Sequence, residues 1–207
     1  MLLSYAICVH DEYDEIFRLL TFLQNNKYSD SENSEIVVLQ DGDNENVSKT
    51  LKKFSDVKVF HRKLDGDFAA HKNFLGSKCT GTYIFNIDAD EMITESIIAT
   101  VTDITRGGVH DLVYFPRINI CIGYTDAFIR KHNFNVNGLG WINWPDYQGR
   151  LYKNGLQWGG VVHEKIQGAT NATCISHGDP TKALLHVKTV QRQDCQNELY
   201  AKLEEKN

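Results

Sequence analysis

The sequence predicts an α/β fold, a parallel sheet with helices on both faces. Three observations lead there. Short apolar runs of strand length alternate with apolar residues at helical spacing, and acidic residues stand where the first strands end. A length of 207 residues, 42% hydrophobic and 24% charged, suits one soluble domain with a sizeable core.

Taken in order, residues 2–9 form a short buried strand. Ile16, Leu19, Leu20 and Leu23 then recur at helical spacing, with Asp11 as the expected helix cap. Residues 36–39 are a second apolar run ending in Gln40-Asp41-Gly42-Asp43, and Val47, Leu51 and Phe54 mark the next amphipathic helix. A third strand covers 57–60, Asp67 caps a helix carrying Ala70 and Phe74, and a fourth strand over 82–87 ends at Asp88-Ala89-Asp90. Beyond about residue 105 the pattern changes to a strand-like run at 113–115, a stretch rich in Asn, Gly and aromatics over 117–147, and short strand-like pieces. A last amphipathic helix is expected from Gln191, with Cys195, Leu199 and Leu203 at spacings of four. The expectation is a single domain over 1–207, a regular half at 1–105 and a less regular half at 106–207 on the substrate side. The chain ends in Lys and Glu without a cap, which reads as one domain of a longer protein.

Composition removes several classes of function. A net charge of −5 and a pI near 5.9 argue against a nucleic-acid binder. The five cysteines contain no C-x-x-C pair, so neither a disulfide framework nor a zinc ribbon is indicated, and a reducing, cytoplasmic setting fits best. Residues 1–9 lack a basic leader and are cut short by His10-Asp11-Glu12, so they read as neither signal peptide nor membrane span. In that setting the sequons at Asn46 and Asn171 carry no meaning.

Ligands of open parallel sheets bind outside the carboxyl ends of the strands. An Asp there is often only a turn former or helix cap, the simpler reading for Asp11 and Asp43. Asp88-Ala89-Asp90-Glu91 is different: three carboxylates within four residues repel one another unless a cation or donor array compensates. Two acids spaced by one residue at a strand end can share a crevice with a divalent ion and a diphosphate.

Around this motif the chain resembles the inverting glycosyltransferases of family 2, nearest their lipopolysaccharide-core glucosyltransferase-like subgroup. The resemblance rests on Gly66, Lys72-Asn73, Asp88 to Glu91, the segment Tyr114-Phe115-Pro116-Arg117-Ile118-Asn119, and Pro145-Asp146 with Gln148 and Arg150-Leu151. It continues through Trp158, Val162-His163-Glu164 and Leu185-His186. Departures are His10-Asp11-Glu12, where family members more often carry Asn-Glu, and an Asn- and Gly-rich insert over 123–140. The resemblance implies a GT-A fold, a Rossmann-like central mixed sheet flanked by helices, with a nucleotide-sugar half at 1–105 and an acceptor half at 106–207. It also implies a UDP-sugar donor, a carbohydrate or glycan acceptor, and Mn²⁺ or Mg²⁺ as cofactor. A longer chain leaves room for further domains or a peripheral membrane attachment.

The same resemblance distributes roles. Asp90 is the first choice for metal ligation, with Asp88 turned to the ribose or a metal-bound water. His186 closes the metal site from the far half of the chain, with His163 as its rival, and an imidazole beside carboxylates suits Mn²⁺. Asp41 accepts a hydrogen bond from the base, His10 and Glu12 touch base or ribose, and Lys72 lies beside the diphosphate. Asp146 is the preferred proton acceptor and Glu164 the alternative. Trp141, Trp144 and Trp158 serve either as acceptor platforms or as core. Three other readings remain at this stage: a phosphatase using a D-x-D nucleophile, a nucleotidyltransferase, and a non-catalytic sugar- or nucleotide-binding module of the same fold.

Overall fold

The computed structural model describes residues 2–26, 34–176 and 179–204, so the chain's terminal Lys-Asn and the Glu before them lie outside the described residues. The first half runs β1 (Leu3–Val9), α1 (Tyr13–Asn26), β2 (Ser34–Gln40), α2 (Glu45–Leu51), β3 (Val57–His61), α3 (Phe68–Gly76), β4 (Tyr83–Asp88), β5 (Glu91–Met92) and α4 (Glu95–Gly107). The second half adds β6 (Leu112–Ile122), α5 (Asp126–Lys131), β7 (Ile142–Lys153), β8 (Gln157–Gly159), β9 (Lys165–Gln167), β10 (Ala172–Cys174), β11 (Leu184–Thr189) and α6 (Val190–Glu204).

Alternation along the first strands decides the layers. Tyr5 and Ile7 of β1 and Ile36 and Val38 of β2 face one side, where Leu19, Leu20 and Leu23 of α1, Leu51 of α2 and Ile97 and Val101 of α4 cover them. Ala6, Val37 and Leu39 face the other side and meet Ala69 and Leu75 of α3. Each fully buried Leu or Ile contributes about 1.5–3 kcal/mol by leaving water. Asp67 caps α3 as expected, its Oδ1 accepting the Ala70 N–H at 2.8 Å. Thr94 caps α4, a helix the sequence reading did not assign. Asp11 does not cap α1: its carbonyl takes the Tyr13 N–H, and the Glu12 carboxylate takes the N–H groups of His10 and Asp11.

The sheet is mixed, in the order β3-β2-β1-β4-β7-β6-β11-β5, with β10 also on β6. Parallel pairing holds for the first four strands, as the alternation predicts; β7 then enters antiparallel between β4 and β6. The short pieces expected after residue 105 appear as β8, β9 and β10, but the run at 113–115 and the stretch over 117–147 hold most of the two longest strands, of 11 and 12 residues. Pro116, Arg117, Asn119, Pro145, Asp146 and Gly149 hide them from a hydrophobicity reading, because one face of each lines a cleft rather than a core. Helix α6 forms where expected, but Cys195 and Leu199 are exposed and border the cleft instead of packing into the core.

Candidate active site

In-register pairing of Cys8 with Asp88 and of Val9 with Gln40 brings the carboxyl ends of β1, β2 and β4 to one edge. There His10 and Glu12, Asp41, and Asp88 with Asp90 line a single cleft of about 1140 Å³, whose other walls come from β6, β7, β11 and α6. Among the described residues no helix is long and apolar enough to cross a membrane.

The repulsion expected within Asp88-Ala89-Asp90-Glu91 is relieved by arginines. Glu91 is fully buried and accepts from Arg150, from Arg117 Nη1 at 3.2 Å and from the Asp88 N–H at 3.0 Å. Asp88 Oδ2 accepts from Arg150 Nη2 at 2.7 Å, and Lys72 Nζ stands 3.8 Å from its other oxygen. Burial pushes the Asp88 carboxyl up, but Arg150 and Lys72 outweigh it and hold it well below the usual carboxylate range.

Asp90 points the other way. Its Oδ2 lies 3.3 Å from His186 Nε2, 3.9 Å from Lys188 Nζ and 4.0 Å from Arg192 Nη2. The His186 tautomer follows from the network. Asp146 can only accept, so Asn119 turns Nδ2 to it at 2.9 Å and offers Oδ1 to His186 Nδ1 at 2.8 Å. In that arrangement His186 Nδ1 donates to Asn119 and Nε2 faces the Asp90 carboxylate. An imidazole whose far nitrogen donates to a carbonyl oxygen, next to a carboxylate, is the donor set a divalent cation uses. Asp90 and His186 thus fit as two protein ligands. Asp88 is turned to Arg150 and Lys72 instead, and among the described residues no cluster of three His, Cys, Asp or Glu side chains forms.

Asp146 sits across from Arg117 in the β6–β7 ladder. Its Oδ2 accepts from Arg117 Nε at 2.9 Å and Nη2 at 2.7 Å, and its Oδ1 from Gln148 at 2.7 Å. Burial raises its carboxyl, and Arg117, Asn119 and Gln148 together lower it below the ordinary value, so it is ionised at neutral pH. Glu164 lies apart from it, bonded to Lys72 Nζ at 2.6 Å. Lys72 is itself nearly buried, 4.4 Å from the centre of the Trp158 ring, with Asp88 and Glu164 keeping it charged against its burial.

At the ends of β1 and β2, Asp41 Oδ1 takes the Leu64 N–H at 2.8 Å and Oδ2 faces His10 Nδ1 at 3.1 Å. Glu12 Oε1 accepts from Arg192 Nη2 at 2.7 Å, so this residue ties α6 to the β1 end as well as lining the cleft. His163, at φ 52°, rests against the Tyr200 ring and is away from the Asp90–His186 pair. Trp158 packs in the core, donating to Tyr152 Oη at 3.0 Å, and also lines the cleft, whereas Trp141 and Trp144 pack on each other and do not line it.

The sequence reading assigned no role to Arg117, Asn119, Lys188 or Arg192, and treated Glu91 only as a third acid. A signal was present. Arg117 and Asn119, Asp146, Gln148 and Arg150, and His186 and Lys188 each recur at spacing two within apolar strands, placing each set on one sheet face. Residues 4–164 match the family model for glycosyl transferase family 2. The chain belongs to glycosyl transferase family 2. This family 2 domain also superposes on the S. aureus TarS fragment 1–349 with a TM-score of 0.62, at 13% identity over 91% of the chain and 60% of that fragment. The complexes of that fragment with UDP-GlcNAc and with UDP give TM-scores of 0.61 and 0.62 at 12% and 13% identity, covering 91% and 92% of the chain and 59% and 61% of the fragment. The chain thus spans about 60% of that fragment's length, and the likeness establishes the GT-A fold. No curated protein sequence matches the chain.

Proposed function

We propose that this domain transfers a hexose or deoxyhexose from a UDP-sugar to a hydroxyl of a glycan acceptor, in one displacement with inversion, assisted by Mn²⁺ or Mg²⁺. The observation that carries the reading is the Asp90–His186 pair at the strand ends, flanked by Lys188 and Arg192. Acids and cations brought together there suit a metal diphosphate and little else. When bound, the cation offsets charge that grows on the leaving diphosphate. Lys72 and Lys188 add fixed positive charge on either side of the motif, and Asp41 accepts from the base while His10 and Glu12 bound the nucleoside. Asp146, ionised and reached through Asn119 from His186, takes the proton of the attacking hydroxyl; Glu164 binds a hydroxyl of the donor sugar and is the alternative base. The resemblance to the lipopolysaccharide-core subgroup, and the UDP and UDP-GlcNAc held by TarS, favour uracil as the base. All five cysteines are free, which fits reaction in the cytoplasm.

The test is calorimetry of UDP with Mn²⁺ and with EDTA, on the native chain and on Asp90→Asn, beside a UDP-release assay with a panel of UDP-sugars. Native binding that needs Mn²⁺ and is lost in the variant supports the reading. Equally tight binding in EDTA removes the metal, and no UDP binding under any condition removes the reading itself.

A further inference from the structure

Beyond the diphosphate site the cleft changes character. Its far arm runs between the insert that follows β6, the start of β7 and the first turns of α6, where Phe134, Asn143, Gln148, Gln193 and Asn197 line it. The cations near this arm are already committed: Lys131 to Asp194 at 2.9 Å, Arg192 to Glu12 and Glu15, Arg117 to Glu91 and Asp146, and Lys188 to Gln196 beside Asp90. We infer that this amide-lined arm binds an uncharged sugar unit of the acceptor, rather than a phosphate-bearing one. The inference rests on the reaction proposed above and specifies the acceptor class.

Neutral sugars are recognised by side chains that both donate and accept, together with a rigid aromatic surface, and the arm holds both. Asn143 is fixed by two bonds with Asn135: its N–H donates to the Asn135 carbonyl at 2.7 Å and its Oδ1 accepts the Asn135 N–H at 2.9 Å, which leaves Nδ2 as a donor. Gln193 Nε2 donates to Asn197 Oδ1 at 2.9 Å along α6, which leaves Gln193 Oε1 as an acceptor. Phe134 is half-buried and stiffened by His132, stacked at 5.3 Å with 25° between the planes. His132 in turn joins α5 to α6 through Asp194 at 3.1 Å and Asn197 at 3.2 Å. Cys195 and Leu199 of α6 border the same cleft, so the arm sets apolar surface beside its amides. At the inner end stands Asp146, whose carboxylate is held in place by Arg117, Asn119 and Gln148 and borders the arm as an acceptor for a hydroxyl.

The experiment follows UDP release from whichever UDP-sugar the native chain hydrolyses in water. Added acceptors are the methyl glycosides of glucose, galactose, mannose, rhamnose and N-acetylglucosamine, against glycerol 3-phosphate, ribitol 5-phosphate and glucose 6-phosphate. At least one neutral glycoside should accelerate release and the phosphates should not. Asn143→Ala and Phe134→Ala should each raise the KM for that glycoside by about threefold to tenfold, as expected for one hydrogen bond or one ring contact, and leave the UDP Kd within about twofold. Preference for the phosphates, no response to any glycoside, or an unchanged KM in both variants overturns the inference while the donor reading stands. Failure to bind or hydrolyse any UDP-sugar overturns both.

Discussion

In the first half of the chain the site residues leave the ends of parallel strands, whereas in the second half they stand in the middle of long strands and on a helix. His10, Asp41, Asp88 and Asp90 are placed by backbone register alone, since the strands that precede them are apolar and paired in line. Arg117, Asp146, Arg150 and His186 are placed by neighbours across the sheet: Arg117 opposite Asp146, and His186 opposite both Asn119 and Glu91. The first kind of site residue is local in sequence and forms a motif. The second needs partners 26 to 96 positions away, as in Arg117 with Glu91 and His186 with Asp90. Charge reaches the strand ends from both kinds, while Phe134, Asn143, Gln193 and Asn197 bring only neutral groups to the rest of the cleft.

The largest expected effect tests whether the second half performs the chemistry. Asp146→Asn keeps shape and most hydrogen bonds but cannot take a proton, so kcat for transfer should fall by ~10² to 10⁴ while the UDP Kd stays near native. Glu164→Gln should weaken donor binding and turnover together. If Asp146→Asn keeps more than about a tenth of native kcat, against the 10²-fold minimum for a lost base, the role passes to Glu164.

Next in size is the joint between the halves. Arg150 is buried and its guanidinium spans Asp88 and Glu91, so Arg150→Met strands two carboxylates and should cost about 3–5 kcal/mol of stability. Urea unfolding measures it. A loss below about 1 kcal/mol, the scale of an exposed pair, would mean that the halves do not depend on this joint.

The smallest effect concerns strand register in the first half. At the end of the strands away from the cleft, Glu35 accepts from Ser4 Oγ at 2.6 Å, from the Thr80 N–H at 2.6 Å and from Lys58 at 2.5 Å. The same Ser4 hydroxyl takes the Gly81 N–H at 2.9 Å, where a Cβ on Gly81 would lie 2.6 Å from the Ser4 nitrogen. Burial pushes the Glu35 carboxyl up, and Lys58, Ser4 and Thr80 outweigh it to hold it at about 2. Because that value is depressed, the stabilisation is complete above the unfolded value of about 4.3 and is lost as pH falls toward 2. Glu35→Gln should lower stability at neutral pH by about 1.5–3 kcal/mol and flatten the acid limb of stability against pH. An acid limb as steep as native would show that the depressed group is another one.

Most of the first half was legible because its signals are local: apolar runs, helical spacing, the Asp67 cap and the acid turn after β4 all act within a few residues. Asp11 does not act as the cap because its carbonyl, not its carboxylate, takes the Tyr13 N–H, while the Glu12 carboxylate holds the turn before the helix through the His10 and Asp11 N–H groups. Of β6 the pattern shows only the run at 113–115, and the length of β7 is hidden, for the opposite reason: their polar residues look like loop until a partner strand shows that they alternate.

From the sequence alone came the α/β class, the acid motif, its family resemblance and the members of the metal pair as candidates. The tertiary structure decided which acids face which cations. Asp88 and Glu91 are neutralised by Arg150 and Arg117, Asp90 is left for His186, and Asn119 sets the His186 proton. The physical reason is range. Hydrophobic periodicity and capping are decided by neighbours in the chain, whereas a buried charge is decided by whichever opposite charge the fold brings within about 4 Å, and sequence spacing carries no record of that distance.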